Sequence, residues 1–89
     1  MLVVPIAYVL INSDLGSDES IIKKLKDILS AEKDVKFEIQ GVYGIYDIIL
    51  KLTSSNAERL RSIITFKIRK IIQVQSTLTM TVIEEQEKS

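Results

Sequence analysis

The four-residue connection from Gly41 to Gly44 constrains the fold of this 89-residue chain more than any other feature. Upstream of it, "VKFEIQG" sets Val35, Phe37 and Ile39 against Lys36, Glu38 and Gln40, the period-two pattern of a strand with one wetter face. Downstream, "IYDIILKL" from Ile45 to Leu52 is a second strand-like run. A link this short has no room for a crossover, so the two runs are expected to pair antiparallel.

A strand and a helix precede this hairpin, and a helix and a strand follow it. Residues 3 to 11 are rich in valine and isoleucine, include Tyr8 and end in the turn-forming "NSDLGSD", which predicts a first strand and a loop. From Ser17 the period changes: Ile21, Ile22, Leu25, Ile28 and Leu29 share one helical stripe. A second helix is predicted from Ser55 or Asn56, with Ser55 and Glu58 spaced as a capping box and a stripe of Ala57, Leu60, Ile64, Ile68 and Ile71, ending near Lys70. The closing strand "VQSTLTMTVIE", residues 74 to 84, alternates Val74, Ser76, Leu78, Met80 and Val82 with Gln75, Thr77, Thr79, Thr81 and Ile83. The order β-α-β-β-α-β predicts an α+β, ferredoxin-like fold, a four-stranded antiparallel sheet with both helices on one face. With 46% hydrophobic content the chain supports one domain over residues 1–89, with a core from about 3 to 84 and a polar tail at 85–89.

Twelve basic and twelve acidic residues cancel, which removes the global positive field that nucleic acid or anionic membranes attract. The absence of cysteine and histidine excludes disulfides, thiolate nucleophiles, the usual zinc sites and imidazole catalysis, so neither a metal nor a cofactor is expected. "MLVVPIAYVLI" is only eleven residues long, has no basic leader and contains Pro5, so it reads as a strand rather than a signal or membrane span. A cytoplasmic protein is the expectation.

The first and third strands are apolar on both alternating faces. Ala7, Val9 and Ile11 cannot share one helix layer with Val4, Ile6, Tyr8 and Leu10, and the same holds for Ile48, Leu50 and Leu52 beside Ile49. The sheet face away from the helices is therefore expected to meet a partner, with scattered exposed apolar residues as the alternative.

"AYVLI" opening one strand, "G-x-Y-D" at Gly44 to Asp47 opening another, and "V-x-S-T-x-T" at Val74 to Thr79 resemble, in combination, the effector domain of Lrp/AsnC transcription regulators over residues 5 to 84. Members of that family carry a helix-turn-helix domain ahead of this one; nothing before Met1 supplies it, so the resemblance implies a stand-alone RAM-type effector domain. It further implies a homodimer whose sheets pack face to face as a dimeric α/β barrel, rings of several dimers, and an amino acid effector held in clefts between dimers. A DNA-binding Lrp/AsnC relative is the implied partner, without direct contact to nucleic acid by this chain. Carried over by position, the ligand site is Gly44, Tyr46 and Asp47 with Thr77 and Thr79.

An amino acid needs an acceptor for its ammonium and donors for its carboxylate. Asp47 offers the first; backbone N–H groups near Gly44 and Ile45 and the hydroxyls of Thr77 and Thr79 offer the second, and Tyr46 a rigid wall. The competing reading has Asp47 accepting backbone N–H bonds to fix the hairpin, Gly44 serving a turn, and the threonines being ordinary strand formers. Arg59, Arg61, Lys67, Arg69 and Lys70 give the second helix a basic bias with no stacking aromatics beside it, which reads as a solvated face. Phe66 points away from the helix stripe, so Phe66 and Ile63 are expected to contact another subunit. Two other functions fit the fold. A small dimeric α/β-barrel enzyme is disfavoured by the absence of histidine, tryptophan and paired carboxylates, and an RNA-binding domain by the single tyrosine and the acid in "GIYDIILKL".

Overall fold

The computed structural model describes residues 5–83; Val3 and Val4 of the expected first strand, Glu84 and the tail 85–89 lie outside the described residues. The chain runs β1 (Ile6–Ser13), α1 (Asp18–Ser30), β2 (Val35–Gly41), β3 (Ile48–Ser54), α2 (Ala57–Ile63), a π-helical turn (Ile64–Ile68) and β4 (Val74–Thr81). The strands form one antiparallel sheet in the order β2-β3-β1-β4, which leaves β2 and β4 as edges. This is the ferredoxin-like architecture expected from the periods.

Register decides which residues meet the helices. Ala7, Val9 and Ile11 of β1 pair with Leu52, Leu50 and Ile48 of β3, and all six are buried. Against this layer α1 places Ile21, Leu25 and Leu29, and the second helix places Leu60, Ile63, Ile64 and Ile68. Each such side chain contributes about 1.5–3 kcal/mol through burial, and truncating one of them, Leu50→Ala for instance, costs about 2–5 kcal/mol.

Local differences from the sequence reading concern the second helix and the start of the third strand. The second helix is capped by Asn56, whose side chain accepts the Glu58 N–H at 2.9 Å, and not by a Ser55 capping box. It ends at Ile68 rather than Lys70, through a π turn in which the Arg69 N–H donates to the Ile64 carbonyl. Ile63 and Ile64 stand three and four positions after Leu60, so both face inward, and Ile63, expected at a subunit contact, is 1% exposed in this chain's own core. Phe66 on the far side is 68% exposed, while Ala57, expected in the buried stripe, is also exposed. The third strand begins at Ile48 rather than Ile45, and residues 42–47 form the connection.

Among the described residues no helix covers the opposite sheet face. There Leu10 lies between Ile49 of β3 and Leu78 of β4, and Tyr8 lies between Lys51 and Met80. Leu78 and Met80 are 46% and 47% exposed. Toward the β2 edge this face turns polar, with Glu38 directly opposite Lys51 at 3.7 Å.

Candidate functional site

The sequence-predicted site residues fall in two places, one on each side of β1. Gly44, Ile45, Tyr46 and Asp47 lie in the connection before β3, whereas Thr77 and Thr79 lie on β4 opposite Ile11 and Val9. The intervening strand puts the two sets on the order of 10 Å apart, twice the strand spacing. Ile11 and Val9 fill the space between them on the helix side.

In the connection, Gly44 has φ +152, which an L side chain rarely adopts, and so permits the turn. Its neighbours Tyr43 and Ile45 are fully or largely exposed. Asp47 is half-buried and engaged: its Oδ2 accepts the Ser13 backbone N–H at 2.9 Å and lies 3.2 Å from the Ser13 hydroxyl, and its own N–H donates to the Ile11 carbonyl. Asp18 Oδ1 lies 3.0 Å from the same hydroxyl, whose single hydrogen serves one carboxylate at a time. Asp47 thus ties the connection to the end of β1, where the β1–β4 register shifts between Asn12 and Ser13. This is a backbone-fixing role, directed at the neighbouring strand rather than at the β2–β3 hairpin itself. Ser13 is the partner that sequence spacing did not reveal, because its distance of 34 positions is bridged only by strand pairing.

On the other side a groove of about 400 Å³ runs between the edge strand β4 and the second helix. Pro5, Ala7, Leu60 and Ile64 supply apolar lining, Thr77, Thr79 and Thr81 come from the strand, and Arg61, Thr65 and Arg69 from the helix. The threonines occur here because their alternation matches the register with Ala7, Val9 and Ile11, which fixes them on the helix side of the sheet. Arg61, Thr65 and Arg69 are spaced by four, a pattern visible in the sequence, yet only the packing against β4 makes them a wall. Hydroxyls and guanidinia above an apolar floor suit a small ligand bearing a carboxylate.

Arg59 and Lys67 are neutralised elsewhere. Glu32, buried after α1, accepts from both Arg59 and Lys67, and Asp34 accepts from Arg59 at 2.9 Å. Lys67, then Arg59, hold the Glu32 carboxyl below its ordinary value, and Arg59 does the same for Asp34; the two acids in turn raise the Arg59 guanidinium. These pairs clasp the loop before β2 to the second helix, which accounts structurally for Arg59 and Lys67. No described helix is long and apolar enough to cross a membrane.

No protein-family model and no curated protein matches the chain. Solved structures do. FFRP-DM1 is 34% identical, with a TM-score of 0.72, covering 91% of this chain and all of its own. Escherichia coli AsnC, at 23% identity and a TM-score of 0.74, matches 96% of this chain with 54% of its own length. The transcriptional regulator NMB0573 from Neisseria meningitidis, solved as a complex with L-Met, is 12% identical with a TM-score of 0.70, covering 96% of this chain and 53% of its own. The last two establish likeness of fold; the first, matched over its whole length, carries the relationship. The chain belongs to the Lrp/AsnC family, as its RAM-type effector domain.

Proposed function

We propose that the chain is a non-catalytic regulatory module that binds a free amino acid and acts through its state of assembly. The observation that carries this reading is the groove, which combines Thr77 and Thr79 with two guanidinia over an apolar floor. Carboxylate recognition by hydroxyls and guanidinium groups needs no reacting residue. The fold shared with NMB0573, itself solved with L-Met, supports an amino acid as the ligand class.

Two surfaces support assembly. The row Ile49–Leu10–Leu78 crosses the open sheet face with a polar edge at β2, the pattern of an interface with an apolar centre and polar rim. A second copy packed there, sheet to sheet, completes a dimeric α/β barrel. The connection at 44–47, with Ile45 87% exposed, then reaches the threonine groove of a neighbouring dimer, which joins the two halves of the site that β1 keeps apart within one chain. In that arrangement the ligand favours the assembled state by its differential affinity, and a DNA-binding relative of the family reads the result.

Isothermal titration calorimetry of the chain against the individual amino acids tests the reading. Saturable binding of at least one is expected, weakened by Thr77→Val and Thr79→Val. Heats no greater than dilution for all of them would remove it.

A further inference from the structure

The threonine groove carries more positive charge than a neutral amino acid requires. Arg61 and Arg69 both line it, and among the described residues no carboxylate lines it. The two cations are not equivalent. Arg61 is held by Glu58 at 2.9 Å in an exposed pair three positions apart, an interaction that is weak and exchanges readily. Arg69 makes no ion pair among the described residues. It lies where the groove meets a second depression, lined by Ser76 and Thr77. The π turn sets this position, because the Arg69 N–H reaches back five residues to Ile64 and the helix closes with Thr65 and Arg69 lining the groove.

A neutral amino acid is a zwitterion: one cation balances its carboxylate and one anion its ammonium. In the function proposed above, on which this step rests, the neighbouring subunit's Asp47 faces the ammonium and one guanidinium faces the α-carboxylate. Where that guanidinium is Arg61, drawn from its exposed pair with Glu58, Arg69 is left without a carboxylate partner. We infer that the groove selects an amino acid with a second carboxylate, of the aspartate or glutamate class, and that Arg69 is the residue that determines this specificity. Its planar fork takes the side-chain carboxylate in a bidentate bond beside the Thr77 hydroxyl. A neutral isostere such as glutamine offers the exposed Arg69 guanidinium an uncharged acceptor in place of a carboxylate, and discrimination arises from the lost charge-assisted bidentate bond.

The test is calorimetry on the full chain with L-glutamate, L-aspartate, L-glutamine, L-leucine, succinate and inorganic phosphate, repeated with Arg69→Gln and Arg69→Lys. An acidic amino acid is expected to bind about tenfold or more tightly than glutamine or leucine. Arg69→Gln is expected to erase that ratio by weakening the acidic amino acid far more than glutamine, with thermal stability unchanged, and Arg69→Lys, which keeps the charge, to restore part of it. Tighter binding of glutamine or leucine, or a ratio that survives Arg69→Gln, overturns the specificity and leaves amino-acid sensing standing. Succinate or phosphate binding as tightly as glutamate also overturns it, because the groove is then a general anion site. Absence of binding by every amino acid overturns both readings together.

Discussion

Replacing Asp47 with alanine removes the side-chain acceptor of the Ser13 backbone N–H at the end of β1. Ser13 is 9% exposed, and its N–H reaches Asp47 Oδ2 at 2.9 Å. A hydrogen bond to a charged acceptor contributes about 1.5–3 kcal/mol, and a buried donor left without a partner costs about 1–3 kcal/mol, two descriptions of the same loss. Asp47→Ala is therefore expected to destabilise the fold by about 2 kcal/mol, which for a domain of this size lowers the melting temperature by roughly 8–16 °C. Asp47→Asn keeps an oxygen in place and loses only the charge, so it costs about 1 kcal/mol. Ser13→Ala retains the backbone bond and costs less than about 1 kcal/mol. Thermal and urea denaturation at one fixed protein concentration reads all three, since assembly makes the midpoint depend on concentration. If Asp47→Ala melted within about 2 °C of the wild type, the reasoning that Asp47 secures the β1 end would be refuted.

Other perturbations address assembly and pH. Leu10→Glu places a charge at the centre of the open sheet face without touching the core, and light scattering after size exclusion is expected to show the mass falling to that of the monomer; an unchanged mass counts against a sheet-to-sheet dimer. Phe66→Glu, 68% exposed on the far side of the helix, is expected to dissolve larger assemblies and spare the dimer, and the same mass distribution as wild type would remove Phe66 from any interface. Glu32 and Asp34 are held below their ordinary values of 4.5 and 3.8, so their stabilising contribution is complete above those values and is lost as pH falls through the lower values they hold in the fold. Glu32→Gln is expected to lower stability at neutral pH and to flatten the acid limb of a melting-temperature profile; an acid limb of unchanged slope would show that the clasp on Arg59 and Lys67 contributes nothing.

The architecture was legible because its signals are local. "VKFEIQG" alternates so cleanly that β2 occupies Val35–Gly41 as read, and the stripe of Ile21, Leu25 and Leu29 identified α1. The errors occurred in the second helix and at the start of the third strand. Ile63, three positions after Leu60, belongs to the buried stripe beside Ile64 although the reading of the stripe omitted it, and the π turn that closes the helix at Ile68 leaves no mark in composition. Ile45 and Tyr46 have strand-like side chains, but Gly44 at φ +152 and the bond from Asp47 to Ser13 keep them in the connection.

The site was legible in its parts and not in its arrangement. Thr77 and Thr79 were visible as an alternating pair, while the face they occupy follows from their register with Ile11 and Val9. Arg61 and Arg69 are exposed, as the solvated-face reading expects, while the groove they border with Thr65 exists only against the edge strand β4. The role of Asp47 stood between two readings in the sequence; the bond to Ser13 shows one carboxylate oxygen fixing backbone at the end of β1.

Native mass spectrometry of the chain, with and without a pool of amino acids, tests the central claim most directly. The account predicts even-numbered assemblies that retain an amino acid mass in the presence of the pool and shift in population when it is removed. A monomer that carries no added mass under both conditions would contradict it.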